Sequence, residues 1–575
     1  MKRSRLFRVQ NAVMTAARAL AATALLVPGA ARAQAGLTHL DDATIVPKGE
    51  WRLQAITAWT RFDSRFLPAG AGAKTSPLGA DFSFDSLGAA QLPALSTAQS
   101  DIAAMTHRPF RLSLGTSRAA ADARVVVTPI GAEYGLTHRL TLGAMIPLVR
   151  TRMSIMLRMN ADSASAANAN VGINPATVNA AALAQDSSVV RQLTDASNSL
   201  QGALQACQAN PAANSDCGTL LARAADVSTL AQDAETYALV LGRLYGQNST
   251  ARGAGVVPLQ GTTADSLIRA YIVGLDSSFQ AFRTATPRVT SAPVASGGPV
   301  GVDDLASFLK DPAVAGFDSL KTTVRVAPGD LELSARYLLF DGFSLRDSAP
   351  PAGLHSRATL TATWRLPTGQ LATASNPLDI GTGRGTSSAG ARLALYSQWG
   401  TRLGLGATAQ YITSFGKTTT GRYPMAGGAP FPAATLDTYS YTPGAVVSFS
   451  VAPRIMVGRL LGVNVMYDYL HVAANDYGDP QPGNYRAGTP PFSIPLPPPT
   501  PVAILNGISS TPGTTQAMGF GITYSTVTEY DRGKAVLPID ITFTHLEALS
   551  GAARMPKFFR DQIQLRFYYR RHRNR

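Results

Sequence analysis

Twelve segments of this chain alternate apolar and polar residues, and beyond the N-terminus no apolar stretch reaches the about 20 residues that a membrane-spanning helix needs. The clearest segment is Arg357–Arg365. Ala358, Leu360, Ala362, Trp364 and the following Leu366 fall on one side, and Arg357, Thr359, Thr361, Thr363 and Arg365 on the other. In a strand, successive side chains point to opposite faces, so such a segment meets an apolar medium on one side and water on the other. A transmembrane β-barrel and a soluble sandwich both satisfy that pattern. The first 33 residues favour the barrel, because they read as an export signal. Lys2, Arg3, Arg5 and Arg8 precede a short apolar run, Ala19–Val27, and Ala31-Arg-Ala33 is a small-x-small cleavage site that starts the mature chain at Gln34.

Loop lengths separate the two folds further. The strand segments are Glu50–Phe62, Arg124–Tyr134, Arg139–Arg150, Asp330–Leu339, His355–Leu366, Ala391–Trp399, Arg402–Ser414, Tyr439–Val451, Arg459–Val472, Thr515–Val527, Val536–Leu546 and Phe558–Tyr569. Gly135–His138 and Gly400-Thr401 are tight connections, whereas 63–120, 151–329, 367–390, 415–438 and 473–514 are long. That asymmetry is the one between periplasmic turns and extracellular loops in bacterial barrels, and an even strand number leaves both termini on one side. Trp51 and Trp59, eight positions apart on one face, match the height of a lipid band about 25 Å tall. The expected fold is therefore an all-β transmembrane barrel of about twelve antiparallel strands. It divides into a signal peptide (1–33), three strands with a long first loop (34–158), a helical extracellular insertion (159–326), and nine strands with a basic tail (327–575).

The insertion has helical rather than strand periodicity. Val189, Leu193, Ala196, Leu200, Ala203 and Cys207 form one stripe, and Leu220, Ala224, Val227, Ala231, Ala234, Ala238 and Leu241 a second. Ser215-Asp216 is placed to cap the second helix. Further helices are expected over Ala264–Phe282 and Val302–Leu309. Cys207 and Cys217 are the chain's only cysteines and flank the turn at Asn210-Pro211. In an exported chain they are expected to form a disulfide that staples the hairpin. In the 473–514 loop, the proline run Pro495–Pro501 reads as a stiff rim element.

Charge narrows the function classes. The sequence has 51 Lys+Arg against 36 Asp+Glu, a net charge of +15. The excess is dispersed, with no basic cluster interleaved with aromatics, so nucleic-acid binding is not expected. No histidine pair has metal-ligand spacing, and no cofactor or metal site is expected. Gly381-Thr-Gly-Arg-Gly385 lacks the helix and Lys-Ser/Thr of a phosphate loop and reads as a flexible extracellular loop. Asp468 and His471 share a strand but point to opposite faces. His545, after Thr542 and Thr544, is the one residue worth inspecting for a barrel hydrolase, and enzymatic activity is not expected. The water-facing charges Glu133, Glu332, Arg336, Arg357, Arg365, Arg392, Arg402, Asp468, Asp540 and Arg566 are the candidate lumen lining, as a salt-bridged plug or as a selective constriction.

In the final strand Ile563, Leu565, Phe567 and Tyr569 alternate with Gln562, Gln564, Arg566 and Tyr568. This resembles the C-terminal signature that barrel-assembly machinery recognises in outer-membrane proteins, except that Arg570–Arg575 follows the terminal aromatic. Three other stretches resemble a family of bacterial outer-membrane transporters linked by name to the meta-cleavage pathway of phenol degradation. They are Gly131–Gly143, Gly329–Leu339, and Arg365–Gly369 leading to Leu378–Gly383. The resemblance spans mainly the first eight strands and leaves out the helical insertion. It implies a barrel in outer-membrane lipid that passes small solutes, aromatic or hydrophobic ones among them. The competing expectation is a non-conducting barrel that anchors a helical surface domain for adhesion or partner binding.

Overall fold

In the computed structural model, residues 43–67, 74–212, 214–246, 255–282, 286–311, 320–343, 353–373, 376, 378–424, 432–478, 512–531, 534–552 and 555–569 are described. The segment expected to be a signal peptide (1–33), the Pro495–Pro501 run and the Arg570–Arg575 tail lie outside them.

Twelve antiparallel strands close into one barrel. In chain order they are β1 (Trp51–Phe66), β2 (Ser117–Gly135), β3 (Leu140–Met159), β4 (Leu331–Asp341), β5 (Leu354–Leu366), β6 (Ser388–Trp399), β7 (Leu403–Ser414), β8 (Val446–Val457), β9 (Leu461–Val472), β10 (Gly513–Ser525), β11 (Ile539–Ala552) and β12 (Pro556–Tyr569). Each pairs with its neighbour in sequence, and β12 returns to β1 with Trp51 opposite Tyr569. Closure leaves neither edge of the sheet exposed, which a bilayer requires because hydrocarbon offers no partner for a free N–H or C=O. Thr323–Pro328 continues β4 upward along β3 beyond a break at Gly329-Asp330.

The start of β1, the end of β12 and the connections 136–139, 400–402 and 458–460 lie at one end of the barrel. The long loops 67–116, 160–322, 367–387, 415–445 and 473–512 emerge at the other. β2 and β3 are the tallest strands and project beyond their neighbours at the long-loop end. Expectation and structure differ at the eighth strand. Pro432–Thr442 belongs to a separate three-stranded sheet with Lys417–Pro424 and Asp476–Gly478, and β8 begins only at Val446. The chain turns between them at Gly444, where a Cβ would sit 1.8 Å from the Ala473 carbonyl oxygen.

Above the long-loop end stands the helical region. Helix α1 (Ser96–Thr106) comes from the first long loop, and α2 (Ala180–Ala209), α3 (Ala224–Tyr245), α4 (Thr263–Phe282) and α5 (Val302–Lys310) from the insertion. Their apolar faces form one core that takes in Leu87, Leu112 and Leu114 of the first loop. Asp101 of α1 and Arg243 of α3 form an ion pair across it. The Cys207–Cys217 disulfide joins the end of α2 to the turn of helix Cys217–Ala222. Asp216 does not cap that turn through its side chain, contrary to expectation. The Asn214 side chain instead accepts from the Asp216 N–H at 2.9 Å.

Candidate functional site

Side chains on the outward face of the barrel are apolar. Leu53, Leu142, Ile146, Leu333, Leu360, Leu393, Ile522, Ile563 and Leu565 are each between 41 and 47 % exposed, far more than residues of a packed core. Aromatic rings bound this belt. At the short-turn end are Trp51, Tyr134, Trp399, Tyr524 and Tyr569, with the rings of Trp51 and Tyr134 in contact at 4.9 Å. Toward the long-loop end are Trp59, Trp364, Tyr411, Phe520 and Phe559. An apolar band between two aromatic girdles on a closed sheet matches the cross-section of a lipid bilayer. The chain is an outer-membrane β-barrel.

The inward face of the barrel is largely polar, apart from an apolar cluster toward the long-loop end that includes Ile412, Met466, Leu546 and Phe558. β5 presents Thr359, Thr361 and Thr363, all buried, and Arg357 and Arg365 at the two ends of that row. Near the short-turn end, Arg52 of β1 pairs with Glu133 of β2, and both are buried. Arg52 also donates to Thr44 Oγ1 at 3.0 Å, and Arg336 of β4 donates to the Thr44 carbonyl at 2.9 Å. The Val46 N–H donates to Thr141 Oγ1 at 2.9 Å. With Ala43 and Val46 fully buried, the segment before β1 is folded into the barrel mouth.

Glu133, Glu332, Arg336, Arg392 and Arg566 line one small cavity of about 20 Å³. Asp540 and Arg566 help line a second cavity of about 90 Å³, together with Arg454, Asn464 and Thr542. Arg365 donates to Glu332 at 2.7 Å. Arg357 lies at the short-turn rim, 3.0 Å from Asp341 and with its guanidinium over the Phe343 ring. Asp468 is on the inward face of β9 and acts electrostatically on the buried Arg560. Arg402 is apart from this set. It is exposed in the Gly400–Arg402 turn, because β7 starts only at Leu403.

Sequence reasoning passed over Arg52, Arg454, Asn464 and Arg560. All occupy inward positions that strand alternation marks, so their signal was present. Both polar atoms of the Asn464 amide are buried without a protein partner among the described residues, as fits an amide turned toward a cavity.

At the long-loop end, residues 367–387 fold inward rather than outward. Asp330, at the break in β4, accepts from the N–H groups of Gly369 at 3.0 Å and Arg384 at 2.9 Å. Thr151 of β3 donates to the Ile380 carbonyl at 3.0 Å, and Thr382 donates to the Pro328 carbonyl at 2.8 Å. Arg325 pairs with Asp379 and donates to the Leu371 carbonyl at 3.0 Å. Arg384 reaches Ser414 of β7 at 3.3 Å. The segment Gly381–Gly385, expected as a flexible outer loop, is thus pinned by hydrogen bonds inside the barrel. Gly369 and Gly383 pack backbone to backbone there, and a Cβ on Gly383 would lie 2.4 Å from Asp330 Oδ1. The helical core rests above this loop, on Leu378 and the inward-facing Met153, Ile155 and Leu157 of β3.

His545 lies on the outward face of β11 and contacts Asp561 of β12 at 2.7 Å. Thr542 and Thr544 point the other way, into the lumen, so they do not supply it with a nucleophile.

No family model and no curated protein matches the chain. Among solved structures it is similar to an outer membrane channel from Pseudomonas putida F1, at 9% identity and TM-score 0.38 over 93% of this chain and 100% of that one. It is similar to the Pseudomonas putida toluene transporter TodX at 11% identity and TM-score 0.23, over 92% and 91%. The Ralstonia pickettii toluene transporter TbuX follows at 10% identity and TM-score 0.25, over 93% and 92%. These neighbours are proteins of the kind the sequence resemblance implied. At such TM-scores they carry no argument, and the fold rests on the strand pairing itself.

Proposed function

We propose that the chain is a passive channel for small solutes, with its long-loop end facing outward and its termini in the periplasm. The lumen carries the reading: a largely polar wall rich in arginine, with cavities held between two folded-in constrictions. A barrel serving only as an anchor has no need of a hydrated, charged interior, since burying such groups costs free energy unless they are paired. Arg392, Arg454 and Arg566 suit solutes that present a carboxylate or hydroxyl, including aromatic ones, whose ring would travel along the Thr and Met positions of the wall. Opening requires displacement of the segment before β1 at one end and of the 367–387 loop at the other. The helical region, seated on that loop, is the cap.

The test is conductance of the refolded protein in planar bilayers, with and without residues 159–326. Discrete current steps that grow on deletion of the cap support the channel. Silence from both folded forms overturns it and leaves a barrel that anchors its helical domain.

A further inference from the structure

Apart from the His545–Asp561 contact on β11 and β12, the outward face carries a cluster of positive charge on β1 to β3. On three adjacent strands, Arg61 of β1, Arg124 of β2 and Arg152 of β3 stand directly opposite one another. Arg150 lies one step nearer the belt, in the row of Val126 and Trp59. All four side chains are exposed. Directly opposed residues have Cβ atoms about 5 Å apart, so the row spans about 10 Å, and like charges so placed repel. Asp122 lies 3.4 Å from Arg124. Among the described residues no carboxylate is within ion-pairing distance of Arg61, Arg150 or Arg152.

The location gives these charges a partner. Trp59 places the row at the upper aromatic girdle, where headgroups meet hydrocarbon. Ile130, Ile146 and Leu148 lie exposed just below, and Val324 and Val326 flank Arg152 and Arg150 on the neighbouring strand. An amphiphile at this spot meets guanidinium groups with its head and bare aliphatic wall with its chains. Guanidinium forks bind phosphate oxygens two at a time. Four forks against one carboxylate exceed what a single phosphodiester neutralises.

We propose that Arg61, Arg124, Arg150 and Arg152 bind the two phosphates of a bisphosphorylated, multiply acylated glycolipid in the outer leaflet. The proposal rests on the outward orientation of the long-loop end given above and is independent of whether the lumen conducts.

The test uses the full chain in detergent micelles, offered diphosphoryl lipid A, monophosphoryl lipid A or phosphatidylglycerol. Bound lipid phosphorus is read after size-exclusion chromatography, and folding is checked by heat-dependent gel mobility. The parent should retain diphosphoryl lipid A in preference to the monophosphoryl form, and that above phosphatidylglycerol. The Arg150→Gln/Arg152→Gln variant should bind the diphosphoryl lipid about thirtyfold more weakly, about five- to sixfold for each arginine lost. The Arg402→Gln control, altered at the opposite end, should bind as the parent does. Equal retention of the three lipids by the parent overturns the proposal, even where the Gln variant fails to fold. So does preference for phosphatidylglycerol, or a folded Gln variant with unchanged retention. Conductance plays no part in this readout, so its outcome stands apart from that of the channel test.

Discussion

Arg52 and Glu133 sit side by side on adjacent strands and form a buried ion pair inside the barrel mouth. The same guanidinium holds Thr44, so the pair couples the wall to the segment that closes the mouth. Glu133→Gln leaves Arg52 and the neighbouring Arg336 without that counter-charge. Breaking one side of a buried pair costs on the order of 3 kcal/mol. We expect a lower urea midpoint for the variant in lipid vesicles, together with more frequent openings in planar bilayers. A midpoint and opening rate equal to the parent's would show that the pair does not hold the segment.

Asp330 stands at the foot of the inward loop, accepting from two of its N–H groups. Asp330→Ala should free residues 369–384 and raise the rate at which sugars enter proteoliposomes, with little change in barrel stability. Gly383→Ala should act in the same direction, because its Cβ would collide with both Asp330 and Gly369. Unchanged swelling rates in both variants would remove this loop from the permeation path.

Leu360 points into the belt and Thr361 into the lumen. Leu360→Arg should destabilise the lipid-embedded barrel by about 2–4 kcal/mol, the cost of a cation on the lipid face near the midplane. Thr361→Ser should leave the unfolding midpoint nearly unchanged. Equal midpoints for Leu360→Arg and the parent would contradict the lipid-facing assignment of this strand.

These positions show where the sequence was informative. Alternation in Arg357–Arg365 fixed both faces of β5, because period two has one reading once lipid lies on one side. It failed at the rim. β2 and β3 extend past their expected ends, because outward positions there are filled by polar residues such as Arg118, Asp122 and Arg158, above the apolar belt. Helix α1 was missed because Ser96–Thr106 is short and rich in small residues, and its apolar partners come from the distant insertion. The inward course of 367–387 depends on Asp330, Thr151 and Arg325, contacts that no local pattern encodes. Arg52 was legible on the polar face of its strand, but only the structure gave it Glu133 and Thr44 as partners.

The Cys207–Cys217 disulfide closes a short loop in the helical region. Cys207→Ser/Cys217→Ser should lower the stability of the helical region by about 2–3 kcal/mol. Limited proteolysis should then cut between α2 and α3 while the barrel strands stay resistant. Cleavage at the parent's rate would show that the bridge is not needed to hold the hairpin.

Asp186 of α2 is fully buried, with Oδ1 accepting from the Val294 N–H at 2.8 Å. Burial pushes its carboxyl up to about 6, against the smaller opposing pull of that hydrogen bond. The unfolded chain holds the proton less tightly, so between about pH 4 and 6 the helical region loses stability as pH rises, and above that the penalty is complete. Asp186→Asn keeps the acceptor and removes the charge. It should stabilise the helical region by up to about 3 kcal/mol at pH 7.5 and by little at pH 4, read as slower amide exchange over Ala180–Ala209. A gain of equal size at both pH values would rule out the charge as its cause.

Trp51 opposite Tyr569 joins the first strand of the barrel to the last. Until β12 arrives, the backbone of β1 carries a full row of unmatched N–H and C=O groups, and hydrocarbon will not admit such an edge. A chain stopped short of Pro556 is therefore barred from the bilayer by its own first strand. Completeness is checked at the seam before the protein becomes part of the membrane.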